Sequence, residues 1–278
     1  MLRIAVTGAG GRMGREVLDA AADRADTSIA LAVNRTPVEG GTVGGVAVED
    51  ADDFSALLAE SDADVLVDFT GPESSADYVE ACAELDVPAV VGTTGFDSTG
   101  TRRLDAASES IPLLKASNFA RGVAALREAV REAVTAVPDY DVELTETHHN
   151  GKRDAPSGTA KSILDDVESV REDLDERTHG REGDQPRRRS EVGVHARRAG
   201  DITGEHEVLL AGNHEVLSLT HRAESRGVFA EGALDAAVWV VGRAAGRYDF
   251  FDVIRGGDAA ADGGSDAATD PATEEDTR

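Results

Sequence analysis

The spacing of apolar and polar positions divides the chain into two parts with different rhythms. Through residue 119, short apolar runs alternate with stretches of helical period. Strands are predicted over 2–7, 28–33, 65–69, 89–91 and 113–116, with helices over 15–22, 53–60 and 98–110. A further helix starts within 68–73 and runs to 85. Strands alternating with helices specify a doubly wound parallel sheet of the Rossmann-like α/β class. Beyond residue 119 the rhythm changes. A helix over 123–137 leads into the alternation of Val142 and Leu144 against Glu143 and Thr145, a strand ending at Thr147. A helix over 160–171 follows, then a charged, irregular loop over 172–189. Strands near 191–197, 204–210 and 215–222, joined by short turns such as 211–213, predict an α+β unit with a mainly antiparallel sheet. A sheet of that kind can lay one face on a subunit partner. A helix over 229–245, with Trp239 among apolar neighbours, returns to the first unit. Residues 256–278 hold almost nothing to bury and are expected to be disordered.

Two segments carry candidate chemistry. The first strand runs into Gly8, Ala9, Gly10, Gly11, Arg12, Met13 and Gly14 and then a helix. Glycines at 8, 11 and 14 allow a tight turn and close approach to a pyrophosphate, which a helix N-terminus can hold. The spacing is GxxGxxG, not the more usual GxGxxG, but strand, glycines and helix come in the required order. The second strand ends in Asn34 and Arg35, where an acid would hold the ribose hydroxyls of NAD; an arginine there suits the 2′-phosphate of NADP. The glycine-rich stretch that follows, to Val48, reads as a mobile loop. Residues 70–72, 92–95 and 117–119 all follow strand C-termini, the edge at which such sheets bind ligands.

The second segment, residues 143–160, packs two histidines, a lysine and a Ser-Gly-Thr helix start into one window. In an extended chain His148 and His149 point to opposite sides and cannot share one task. Lys152 sits in a loop loosened by Asn150 and Gly151. Ser157 or Thr159 would cap the helix, whose free N–H groups beside cationic side chains suit an anion. Histidine can also move a proton near neutral pH. A polar loop that merely closes a strand is the plain alternative, but so many donors in one window favour a pocket for a small anionic molecule.

Composition narrows the setting. The 278 residues carry a formal net charge of −26, which argues against a nucleic-acid partner. Lys115, Lys152 and Lys161 are the only lysines. An acidic, lysine-poor surface keeps a protein soluble in concentrated salt, so a halophilic cytoplasm is expected. Cys82, the single cysteine, excludes a disulfide framework and a cysteine metal site, and it belongs on the buried side of a helix. The chain begins on a strand where a signal peptide would be apolar and helical, and no run approaches a membrane span. The basic run 187–189 reads as a local ion-pair patch.

Taken together, the motifs resemble those of the 4-hydroxy-tetrahydrodipicolinate reductase (dihydrodipicolinate reductase) family of the diaminopimelate route to lysine. GAGGRMG at Gly8, DFTGPE at Asp68, GTTG at Gly92, SNFARGV at Ser117 and ETHHNGKRDAPSGTA at Glu146 carry the resemblance, with GDITGEH at Gly200 and THRAESR at Thr220. It spans residues 4–254, and the HHxxKxDAPSGTA element is its most specific part. The resemblance implies an NADPH- or NADH-dependent reduction of a small dicarboxylate by a homotetramer. It implies a dinucleotide-binding domain of 1–119 and 222–255 and a substrate and tetramerisation domain of 120–221. His148 matches the acid/base and Lys152 the proton donor, while His149, Gly158 and Thr159 match positions that hold the substrate carboxylates. Gly8 to Met13, Asn34, Arg35, Gly92, Thr93, Thr94, Ala116, Ser117, Asn118 and Phe119 match the cofactor side. Asn34 departs from relatives that use NADH well, which carry an acid. Two other readings are a different nicotinamide-dependent reductase of a small carboxylated imine or aldehyde, and a non-catalytic dinucleotide sensor. A sensor would have no use for both His148 and Lys152 at an anion-binding helix start.

At net charge −26 self-repulsion opposes compaction unless salt screens it. Thermal unfolding followed across a KCl series should therefore show a midpoint that climbs with salt; a midpoint indifferent to KCl would remove the halophilic inference.

Overall fold

The computed structural model describes residues 1–256; the tail expected to be disordered lies, from 257 onward, outside the described residues. Five strands make the body of a parallel sheet: β1 (Leu2–Thr7), β2 (Thr27–Asn34), then, after two short hairpin strands β3 (Thr42–Val43) and β4 (Val46–Ala47) and an edge strand β5 (Glu49–Asp50), β6 (Val65–Asp68), β7 (Ala89–Val91) and β8 (Pro112–Lys115). The central strands are apolar on both faces because helices cover both: Ile4, Ala5, Val6, Leu66, Val67 and Val90 are fully buried. On one face lie α2 (Phe54–Glu60), α3 (Pro72–Glu84) and α4 (Ser98–Ser108), burying Leu58, Val79, Cys82 and Leu104. Cys82 is thus on the buried side of a helix, as expected. The stretch read as a mobile loop before Val48 is the β3–β4 hairpin.

On the other face sits α1 (Arg12–Asp23), which starts three residues earlier than its apolar period suggests. The reason is packing. A Cβ on Gly14 would lie 2.1 Å from the Gly8 carbonyl oxygen, so glycine inside the first turn is what lets the helix begin against the loop. Gly8 itself has φ +76°, a conformation glycine adopts without strain.

The second sheet is built around β9 (Asp141–His148). Val142 and Leu144 point into a core shared with α5 (Arg121–Ala136) and α6 (Gly158–Val170). The sheet order is β10 (Glu176–His179), β11 (Glu191–Arg198), β9, β12 (Gly204–Gly212), β13 (Glu215–Ala223). The β9–β12 and β12–β13 pairings are antiparallel as expected, and the sheet is mixed because β10, β11 and β9 pair in parallel. The chain returns from β9 through the crossover helix α6, and a crossover brings the next strands back in the same direction. Strand β10 lies within the segment read as an irregular loop. It has no apolar alternation, and its charges are held from outside, with Arg177 paired to Glu168 and Asp165. Arg187, Arg188 and Arg189 form the expected ion-pair patch, reaching Glu143, Glu176 and Asp139.

Helix α7 (Gly227–Val240) returns to the α1 face of the first sheet, burying Ala230, Ala233 and Leu234 there. It is shorter than its apolar run. After Gly242 the chain adds β14 (Gly246–Tyr248) to the edge of the parallel sheet beside β8, which completes the order β14-β8-β7-β6-β1-β2-β5. Helix α8 (Phe250–Arg255) closes the described chain, its Phe250 stacked edge-on to Phe119.

Candidate active site

A cleft of about 570 Å³ opens between the C-terminal edge of the parallel sheet and the second sheet. Arg12, Met13, Gly92, Thr94, Ser117, Asn118 and Phe119 line it from the first side; His148, His149, Lys152, Gly158 and Thr159 line it from the other. Two segments some 40 residues apart are tied together directly, because the Asn118 amide Nδ2 donates to Thr159 Oγ1 at 2.9 Å.

The remaining expected cofactor residues stand outside this cleft. Gly8, Ala9, Gly10 and Gly11 form the turn before α1, with the buried Ala9 donating its N–H to the Val33 carbonyl. Gly10 N–H donates to Asn34 Oδ1 at 3.2 Å, and Asn34 Nδ2 donates to the Thr36 carbonyl at 2.6 Å, so Asn34 braces the loop at the end of β2. Arg35 is exposed and donates to Ser74 Oγ at 3.0 Å, along a separate groove that also holds Asp52 and Tyr78. Thr93 is buried. Its hydroxyl donates to Asp68, which also accepts from Thr7 and Thr70, so one carboxylate gathers three strand ends. Ala116 faces a smaller pocket beside Lys115. The positive φ at Gly8 and the close α1 packing leave backbone N–H groups open at a helix start, which suits a dinucleotide pyrophosphate.

The chemistry on the other side starts from Glu146, fully buried on β9. Its Oε2 meets His148 Nδ1 at 2.5 Å, and Arg198 donates to both carboxylate oxygens at 2.7 and 2.8 Å. The Ser157 backbone N–H donates to Oε1 at 3.2 Å. Burial alone would raise the Glu146 pKa; the bonds from His148 and Arg198 outweigh it and bring it to about 2. With Nδ1 engaged, His148 is left with Nε2, which lies beside Gly204, where a Cβ would come to 3.1 Å. His148 is the last residue of β9 and His149 the first beyond it. They were expected on opposite sides, yet both reach the cleft, because the strand ends between them and Lys152 N–H turns back onto the His149 carbonyl.

Lys152 Nζ lies 2.8 Å from Asp154 Oδ1. The His149 pKa is held below its ordinary value by burial and then by the cationic Arg226 and Arg12. Ser157 is the cap of α6, accepting the Ala160 N–H on Oγ at 3.2 Å. Gly158 and Thr159 occupy the first helical turn, where no earlier helical carbonyl reaches their N–H groups. Space beside Gly158 is open, with nothing within 4 Å of a Cβ there. An anion is thus offered two N–H groups, a hydroxyl, His149 and Lys152 together.

Sequence reasoning assigned no role to Glu146, Asp154, Arg198, His206, His221 or Arg226. Four of the seven histidines line one cleft, and His206 and His221 stand directly opposite each other across β12 and β13. The signal was present in GDITGEH and THRAESR, but only cross-strand register turns those stretches toward His148.

Residues 2–119 match the family described as dihydrodipicolinate reductase, N-terminus, and residues 122–254 match dihydrodipicolinate reductase, C-terminus. A 4-hydroxy-tetrahydrodipicolinate reductase of Natronomonas pharaonis is 54% identical over 253 residues, covering 91% of this chain and 100% of that protein. One from Haloarcula marismortui is 54% identical over 254 residues, covering 91% and 99%. Among solved structures, a dipicolinate-bound dihydrodipicolinate reductase from Paenisporosarcina sp. TG-14 has the same fold, with TM-score 0.72 and 23% identity over 90% of this chain and 97% of that one.

The ordinary pKa of 4.5 for Glu146 falls to about 2 on folding. A carboxylate with a depressed folded pKa gives stability that is present above its unfolded pKa and is lost as pH falls through the folded one. At neutral pH Glu146→Gln should cost about 3 kcal/mol, and by pH 3 roughly half of that difference should be gone. Urea unfolding of both proteins at pH 7 and pH 3 in the same KCl measures it. An equal penalty at the two pH values would show that Glu146 is not the ionised centre described.

Proposed function

We propose that this chain, which belongs to the dihydrodipicolinate reductase family, reduces 4-hydroxy-tetrahydrodipicolinate, with loss of water, to tetrahydrodipicolinate in the diaminopimelate route of lysine biosynthesis. It is an NAD(P)H-dependent oxidoreductase. The observation that carries the reading is the meeting of the Glu146–His148 pair, Lys152 and the α6 start with the loops at the parallel-sheet edge in one cleft. A bound NAD(P)H supplies the hydride. Gly158 and Thr159 N–H groups, the Thr159 hydroxyl and His149 hold the two carboxylates, which fixes the ring between the sheets. Addition of hydride leaves negative charge on the ring, and Lys152 gives the proton that neutralises it. Before hydride adds, His148, with Nδ1 bound to Glu146, takes through Nε2 a proton from the ring carbon next to the hydroxyl-bearing one and returns it to the departing hydroxyl, which leaves as water. Asp154 holds the Lys152 ammonium in place before substrate arrives.

In this reading residues 1–119 and 222–255 bind the dinucleotide, through the Gly8–Met13 turn, Asn34 and Arg35, and the loops Gly92–Thr94 and Ala116–Phe119. Residues 120–221 bind the substrate and assemble a homotetramer. Support for assembly comes from β13, an edge strand with Val216 63% and Leu217 41% exposed. Among the described residues no helix is long and apolar enough to cross a membrane. A cytoplasmic setting fits a nicotinamide-dependent biosynthetic reductase.

His148→Ala and Lys152→Ala should each lower turnover by roughly 10²–10⁴-fold, the range for a lost acid/base group. NADPH affinity should stay nearly unchanged, since both residues lie across the cleft from Arg12 and Met13, where α1 begins. Steady-state assays with freshly made synthase product, beside NADPH titrations, read both quantities. Near wild-type turnover in both variants would overturn the assignment of the pocket.

Cofactor choice is the companion expectation. Asn34 removes the charge that would repel a 2′-phosphate, and Arg35 can bind one through a fork of donors. NADPH should be used at least as well as NADH, and Asn34→Glu should move the preference toward NADH. A wild-type enzyme that clearly favours NADH would contradict this.

A further inference from the structure

Resting on the reading above, we infer that His206 is a positioning residue for the reaction: it holds the Ser157 hydroxyl, and with it the carboxylate-binding turn of α6, in register with His148. His206 is a β12 residue, 3% exposed, and directly faces Glu146 across the antiparallel β9–β12 pair. Its ring stands edge-on to that of His148, with centroids 5.2 Å apart at 76°. Its Nε2 lies 3.1 Å from Ser157 Oγ.

Ser157 Oγ also accepts the Ala160 N–H at 3.2 Å. Among the described residues His206 Nδ1 is buried without a hydrogen-bond partner, so the contact with Ser157 is the one hydrogen bond the ring makes, and a serine hydroxyl can serve either tautomer of it. Burial, then the adjacent His148, push the His206 pKa down to about 3 against the pull of Glu146, so the ring is neutral at neutral pH. Ser157 is therefore fixed twice, by Glu146 through its N–H and by His206 through its hydroxyl.

The consequence is geometric. Ser157 is the cap, so its setting decides where the Gly158 and Thr159 N–H groups point. Glu146 sets the ring of His148 and also the backbone of Ser157. His206 supplies the remaining constraint, because without it the Ala160 N–H is the only hydrogen-bond partner of the Ser157 hydroxyl among the described residues. Without His206 the cap is free to turn, and the carboxylate-holding groups lose their fixed distance from the proton-moving Nε2. A residue that acts in this way governs the capture of the dicarboxylate more than the chemical step, and it leaves the nucleotide side untouched.

Two substitutions separate this role from simple packing. A glutamine amide reaches the position of the imidazole Nε2, whereas an asparagine amide reaches only that of Nδ1. In the full chain at high KCl, His206→Asn should raise KM for 4-hydroxy-tetrahydrodipicolinate about tenfold, the size of one lost hydrogen bond. Its kcat should change less than its KM, and the NADPH KM should not move. His206→Gln should restore the substrate KM to near the wild-type value. In a Ser157→Ala background, His206→Asn should add nothing, because the group it acts through is gone. If His206→Asn does not give a folded protein by circular dichroism and NADPH binding, His206→Phe, which keeps the ring and its contact with His148, is read by the same criterion. The inference falls if the asparagine or phenylalanine variant keeps its substrate KM, if glutamine and asparagine behave alike, or if the effect is additive with Ser157→Ala. A wild-type protein that does not turn over the hydroxylated heterocycle would sink the activity reading itself and this inference with it.

Discussion

A single buried carboxylate sets the geometry of the substrate side. An ionised Glu146 with no exposure would be strongly unfavourable unless its oxygens were filled, and they are: by the Arg198 fork, by His148 Nδ1 and by the Ser157 N–H. Those partners come from the end of β11, the end of β9 and the start of α6. None of the three can move without leaving a buried charge unpaired, so the requirement for electroneutrality is also a requirement for position. The same carboxylate that anchors the fold aims the Nε2 of His148 and places the helix start that faces it.

The electrostatics of the cleft run against those of the whole chain. The protein carries a formal charge of −26, yet Arg12, Lys152 and Arg226 gather around one opening. In concentrated salt the screening length shrinks to about 3 Å, so long-range steering of a dianion contributes little. Affinity must then come from contacts at hydrogen-bond distance. The proposed contacts are the α6 N–H groups and the Thr159 hydroxyl, which the Asn118 amide braces. Lys152, one of three lysines in the chain, is paired with Asp154.

Local signals in the sequence were enough for the parallel sheet, the glycine turn and a helix start capped by Ser157 or Thr159, because each is written in a window of a few residues; the structure makes Ser157 the cap. What escaped a local reading depends on pairing at a distance. Strand β10, with Glu176, Arg177, Thr178 and His179, has no apolar face and is held by its register against Glu191 to Val194. Strand β14 is three residues long and exists because β8 offers an edge. The early start of α1 reflects how closely Gly14 packs on the Gly8 carbonyl, which makes a helix-weakening residue the right one there. Glu146 and His206 read as ordinary strand residues until β9 and β12 are laid side by side, and only then do they become partners.

The bond between Glu146 and His148 Nδ1 fixes the tautomer of the neutral ring and leaves Nε2 bare toward the cleft. Nitrogen-15 chemical shifts of the histidine rings, assigned to His148 by the signal lost in His148→Gln, report this directly at high KCl. The predicted spectrum shows the neutral form of His148 protonated on Nδ1, and in Glu146→Gln a shift of that form toward protonation on Nε2. A wild-type His148 found mainly in the Nε2-protonated form, or with a spectrum unchanged by Glu146→Gln, would contradict the account.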